Sequence, residues 1–135
     1  MLLSLYDGMK VGRREKKITM DLNQFTIKSQ EAITKAQQLC LSQNQQQVEN
    51  SHLLLALIET DQNVIPHILQ KSNADIGMVK ANLQKTIQGY PQVTGGQIQW
   101  SNSSSKTLIN SLSKAQKMND QYVTVEHILL ALCEN

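Results

Sequence analysis

Between position 22 and about position 42, apolar residues recur at helical spacing. Ile33, Ala36, Leu39 and Cys40 fall on one side with Ala32 beside them, while Lys28, Glu31, Lys35 and Gln38 lie largely around the remainder. The spacing predicts a first, amphipathic helix. The polar run Gln43-Asn44-Gln45-Gln46-Gln47 reads as a solvated turn, and Asn50 or Ser51 is suited to cap the helix that follows. From Leu53 to Ile58 that second helix is apolar nearly all round, which predicts a central position. Asn63 is the candidate cap of a short third helix with Val64, Ile65, Ile68 and Leu69 on its buried stripe and Pro66 tolerated in its first turn. Asp75 caps a fourth, with Ile76, Val79, Leu83 and Ile87 facing inward. Pro91 and the Gly95-Gly96 pair then break helix and mark a joint. After Trp100, the Ser101-Asn102-Ser103 cluster offers caps for a helix carrying Leu108, Leu112, Ala115 and Met118 on one side.

The pattern also returns on itself. Val48-Glu49 and the run His52-Leu53-Leu54-Leu55-Ala56-Leu57-Ile58-Glu59 come back as Val123-Thr124 and His127-Ile128-Leu129-Leu130-Ala131-Leu132-Cys133-Glu134, at a constant offset of 75 residues. A recurring unit is one supersecondary element whose apolar face needs a neighbour to cover it. Matching Lys114-Ala115-Gln116 to Lys35-Ala36-Gln37 puts the first helix of the second copy at an offset of 79, and predicts a turn four residues shorter there. The first copy continues from Glu59 to Ile87, whereas the second reaches Asn135 just after its central helix, so the second repeat is expected to be truncated. Uncovered Leu and Ile side chains would each forfeit about 1.5–3 kcal/mol, against a domain stability of about 5–15 kcal/mol. A marginally stable or self-associating chain is the expectation.

Composition sharpens this picture. A chain of 135 residues with 40% hydrophobic and 4% aromatic content has room for one domain, and its Leu, Ile and Ala favour packed helices over a sheet sandwich. The expected class is all-α. The formal charge of +2 is concentrated at the start: Lys10, Arg13, Arg14, Lys16 and Lys17 outweigh Asp7 and Glu15, leaving positions 20–135 at −1. Residues 1–19 lack periodicity and read as a flexible basic extension, with Met20 as a possible true beginning. A near-neutral body argues against nucleic acid as a partner, and no stretch approaches the roughly 18 apolar residues of a membrane span. Cys40 and Cys133 lack metal-type spacing and lie on apolar sides of helical patterns, which points to two buried free thiols in a reducing, cytoplasmic setting, with a disulfide as the minor alternative.

Candidate chemistry is sparse. His52, His67 and His127 are possible metal ligands, but the two motif histidines hold the same place in each copy and no His-Glu-x-x-His or paired-cysteine spacing accompanies them. Structural histidines, with no metal, are the stronger reading. A thiol enzyme would need an exposed cysteine beside a base, and helix-buried thiols are inert. No Gly-x-x-x-x-Gly-Lys-[Ser/Thr] loop occurs; the double glycine is followed by Gln97. No catalytic residue is assigned, and this segment is not expected to be an enzyme.

Phe25-Thr26 at the first helix, the paired motifs Glu49…His52-Leu53-Leu54…Ala56-Leu57 and Glu126-His127-Ile128-Leu129…Ala131-Leu132, and the linker Pro91-Gln92-Val93…Gly95-Gly96 together resemble the Clp amino-terminal repeat family. That family's domain precedes the ATPase modules of the Clp chaperones. The resemblance covers residues 20–135 and implies an all-α double repeat with pseudo-twofold symmetry: repeat one at about 22–88, a linker at 89–100, and an incomplete repeat two at 101–135. It implies a substrate-engaging role in a disaggregase, taking unfolded or aggregated polypeptide in an apolar groove and passing it to a hexameric ATPase. ATP and magnesium would then belong to modules outside this segment, and an adaptor or co-chaperone is a possible partner. The family's polar substrate-binding positions map onto Thr26, Asp120 and Glu126. Its groove maps onto Leu108, with Ile109 and Leu112 beside it, and Asn110 stands where a leucine is often found. The same three polar residues also read as a helix cap, a turn former and a first-turn acid. The alternative in the same fold is an adaptor-docking domain of a protease-coupled Clp ATPase, whose affinity would fall with salt.

Overall fold

The computed structural model describes residues 21–134; the extension read at 1–19 lies outside the described residues. Among the described residues there are six α-helices: α1 (Ile27–Ser42), α2 (Asn50–Thr60), α3 (Val64–Lys71), α4 (Ile76–Gln88), α5 (Asn102–Lys117) and α6 (Val125–Cys133). Two short strands, β1 (Gln47–Val48) and β2 (Gln99–Trp100), pair in parallel. The class is all-α, as the periodicity predicts.

Helix ends follow local chemistry, with three departures from the sequence reading. The first helix does not run from Leu22. A 3-10 turn at Leu22–Gln24, capped by Asp21, precedes an extended Phe25, and Thr26 caps α1 by accepting from the Ser29 N–H at 3.2 Å. At α2 the capping position is Glu49, whose N–H donates to His52 Nδ1 at 2.9 Å. Asn63 makes no side-chain cap; the Asp61 carboxylate reaches forward instead and accepts from the Ile65 N–H at 2.6 Å. Asp75 and Ser101 cap α4 and α5 as expected, accepting from Met78 and Ser104. Helices α1, α3 and α5 each end on an asparagine in the left-handed region, Asn44 (φ 55), Asn73 (φ 63) and Asn119 (φ 58). In each, the next residue's N–H returns to a carbonyl five residues back, a Schellman closure that satisfies the last turn.

The two copies correspond at an offset of 75, the first helix included, since Ile27–Ser42 answers to Asn102–Lys117. Asn44 answers to Asn119, and the Gln45 N–H bonded to Cys40 O at 3.0 Å answers to the Asp120 N–H bonded to Ala115 O at 2.9 Å. The offset of 79 is therefore corrected: Ala115 is the counterpart of Cys40, and the two turns are equally long. The Lys-Ala-Gln match fails because a tripeptide on a helix surface is too short to fix a register that a helix end fixes by its backbone bonds.

Each copy inserts its start into the other. Phe25 bridges Val123, and 75 residues on Trp100 pairs with Val48. Ser29 Oγ donates to Val123 O at 3.0 Å and Ser104 Oγ donates to Val48 O at 2.6 Å. Reciprocal pairs of this kind are what a twofold relation requires. The seam is closed, with Phe25, Val48, Leu53, Leu57, Leu108, Val123 and Ile128 all at most 2% exposed. The all-round apolar α2 is central, packing against α1, α3, α4, α5 and α6. Burial of each such side chain is worth about 1.5–3 kcal/mol, so the core sets the register of both copies.

Two burial expectations change. Gln45, read as part of a solvated turn, is 4% exposed, because its amide donates to Ile87 O at 2.6 Å and its carbonyl accepts from His52. Cys133, read as a buried thiol, is exposed, while Cys40 is buried and its thiol donates to Gln45 O. Cys133 ends α6 on the face that carries exposed Glu126 and Leu130, since Leu130 and Cys133 follow Glu126 by four and seven residues.

Candidate functional site

The second-copy turn between α5 and α6 is where the polar candidates meet. The Thr26 N–H donates to Val123 O at 3.0 Å, which lays the start of α1 beside this turn. Asp120 follows the left-handed Asn119, and its Oδ2 accepts from His127 Nε2 at 2.8 Å. The tautomer follows from the other ring nitrogen, since Nδ1 accepts the Thr124 N–H at 2.9 Å and the proton must sit on Nε2. Glu126 lies in the first turn of α6, where the helix dipole favours an acid. Thr26, Asp120 and Glu126 line one surface pocket of about 400 Å³ with Met118, Gln121, Tyr122, Thr124, His127 and Leu130. Two carboxylates and no Lys or Arg line it, so its local charge is negative.

The apolar half of the expected groove is rearranged. Leu108 is 0% exposed and belongs to the seam core, and Ile109 and Leu112 are half-buried against that core on α5. None of the three lines the pocket. The apolar surface beside the polar trio comes from Met118 (55% exposed), Tyr122 (47%) and Leu130 (46%). Of these, Met118 carried a sequence signal as the last residue of the apolar side read on α5. Tyr122 could have been found as an aromatic residue in a polar turn. Leu130 could have been found by spacing, since it lies four residues from both Glu126 and Glu134 and so shares the polar face of α6.

The two motif histidines are spent on the fold, while His67 is exposed on α3. His52 repeats the His127 arrangement, with Nδ1 accepting from Glu49 N–H and Nε2–H donating to Gln45 Oε1 at 2.7 Å. Burial pulls the His52 pKa down to about 4, so it is neutral at physiological pH. Among the described residues no group of three His, Cys, Asp or Glu could hold a metal ion, and no helix is long and apolar enough to cross a membrane. Burial, with the nearby Glu49 carboxylate, pushes the Cys40 thiol up to about 11, which makes it a poor nucleophile.

A profile of the family described as the Clp repeat (R) N-terminal domain matches residues 24–135. The chain belongs to this family. As a Clp N-domain it is similar to the chaperone protein ClpB of Bacillus cereus, with 41% identity over 120 residues, 85% of this chain and 14% of that protein. It is also 38% identical over 113 residues to ClpB of Bacteroides thetaiotaomicron, covering 84% of this chain and 13% of that protein. The chain thus spans about one seventh of the length of the curated relatives it matches. Among solved structures, the Hsp104 N-terminal domain from Candida albicans has the same fold, with a TM-score of 0.73 and 24% identity over 80% of this chain and 72% of that one. The N-terminal domain of the ClpV1 ATPase from E. coli gives a TM-score of 0.77 at 20% identity, over 84% of this chain and 70% of that one. The Clp N-domain fold therefore holds the pocket at the turn that joins α5 to α6, on the edge of the seam between its repeats.

Proposed function

We propose that this chain is the substrate-engaging amino-terminal domain of a ClpB-type disaggregase chaperone. It holds unfolded or aggregated polypeptide weakly at the face framed by Thr26, Asp120 and Glu126, and hands it to hexameric modules of the parent protein that use ATP and magnesium. The observation that carries this reading is the convergence of those three residues with exposed Met118, Tyr122 and Leu130 in one pocket. Apolar side chains on open surface with a polar rim suit extended, hydrophobic polypeptide. The role is binding: the buried Cys40 and the hydrogen-bonded His52 and His127 are occupied in the fold.

The test is a titration with a permanently unfolded model protein, followed by amide shifts of this domain. Shifts are expected at 118–127 and at Leu130. Covering half of a leucine side chain is worth about 1 kcal/mol, so Leu130→Ser should weaken binding about five-fold. An absence of shifts at millimolar concentration removes the reading. The two pocket carboxylates favour a second reading, docking of a basic surface on a folded adaptor. Affinity that falls steeply between low and physiological salt, with no effect of Leu130→Ser, would select it.

A further inference from the structure

The pseudo-twofold relation creates the turn surface twice, and on the first copy the chain's own linker partly covers it. Tyr90, Pro91 and Val93 line it together with Gln45, Gln46, Gln47 and Glu49. Tyr90 Oη donates to Ser51 Oγ at 2.9 Å, and its ring stands 5.5 Å from the His52 ring at an interplanar angle of 44°. Three residues on, the Val93 N–H donates to Asn44 O at 2.8 Å. These three anchor points recur 75 residues later. Asn119 has the backbone of Asn44, His127 makes the ring bonds of His52, and Glu126 stands in the place of Ser51.

We propose, resting on the binding role above, that the second-copy surface takes an extended polypeptide segment carrying a tyrosine followed three residues later by an aliphatic residue, laid down as Tyr90–Val93 is laid on the first copy. The tyrosine hydroxyl donates to the Glu126 carboxylate, its ring stands beside His127, and the aliphatic residue's N–H donates to Asn119 O. The exchange of Ser51 for Glu126 turns the phenol contact into a charge-assisted hydrogen bond, roughly twice as strong as a neutral one. The pocket of about 400 Å³ between Met118, Tyr122 and Leu130 receives the apolar side chains. Proline after the tyrosine reduces the ordering cost, since its backbone is already restricted.

The probe is a capped synthetic peptide with the sequence of residues 88–95, titrated into the 135-residue chain with amide shifts as readout. Saturable shifts at Asn119, Glu126, His127 and Leu130 are expected. A peptide with the tyrosine changed to alanine should bind at least five-fold more weakly, and Glu126→Gln in the domain should weaken the parent peptide about three-fold or more while leaving the spectrum folded. Equal binding of the alanine peptide overturns the proposal, as do shifts confined to Asn44, Ser51 and His52, which would mean exchange with the chain's own linker. Shifts at Asn119 and Leu130 that depend on protein concentration without peptide would assign the surface to a second copy, and also overturn it. If the unfolded protein binds at this face and the tyrosine peptide does not, the inference falls and the broader function stands; if neither binds, both fall.

Discussion

Lowering the pH from 7 to 4 should destabilise this domain through His52 by about 3 kcal/mol. The ring is 0% exposed, and its two nitrogens are engaged with Glu49 N–H and Gln45 Oε1. Burial lowers its pKa from 6.5 to about 4, so between those values the unfolded chain binds a proton that the folded one refuses. Stability contributed by neutral His52 is complete above 6.5 and is lost as pH falls through that window, at up to about 1.4 kcal/mol per pH unit. A second obstacle reinforces the sign, since a protonated Nδ1 would point its hydrogen at the Glu49 N–H. The assay is urea unfolding across pH 4–7, followed by the fluorescence of Trp100, the single tryptophan, which is 4% exposed when folded. The comparison is His52→Asn, whose carbonyl can still accept the Glu49 N–H while the titrating ring is gone. Carboxylate titrations are common to both proteins, so the difference between the two pH profiles isolates the histidine. Parallel profiles would refute the reasoning.

Three further outcomes are expected. Ser29→Ala and Ser104→Ala should each cost about 1 kcal/mol in urea unfolding, and by similar amounts, because Val123 O and Val48 O keep the N–H donors of Thr26 and Ser101 and no acceptor is orphaned. A large cost for one and none for the other would contradict the twofold equivalence of the clamps. Gln37 is 4% exposed with neither amide atom paired, and Leu112 is its counterpart 75 residues on; Gln37→Leu should stabilise the domain by about 1–3 kcal/mol, and a loss in thermal or urea midpoint would count against this. With a thiol-reactive dye at pH 8, Cys133 should label rapidly and Cys40 only as fast as the fold opens, so Cys133→Ser should abolish the fast phase.

The polar pocket residues bear on how far a sequence can be read. Asp120 and Glu126 share one turn and helix start, but Thr26 lies 94 positions before Asp120, and the grouping of the three came from family resemblance. Periodicity alone assigned them separate local jobs, and all three jobs are real: Thr26 caps α1, Asp120 completes a helix closure, and Glu126 opens α6. What joins them is the insertion of the first copy's start beside Val123, a contact between residues nearly one hundred positions apart.

Local periodicity and capping chemistry were enough to determine six helices, their order, the duplication and the central place of α2, because each depends on residues within one or two turns of one another. The register of the duplicated first helix was not among them, since matching Lys-Ala-Gln tripeptides compete with the true offset until the Asn44 and Asn119 helix ends are seen. Nor was exposure. Leu55 and Leu130 sit at the same place in nearly identical runs, yet one is 3% exposed and the other 46%. Burial is decided by what packs across from a side chain, and two equal local sequences can face unequal neighbours.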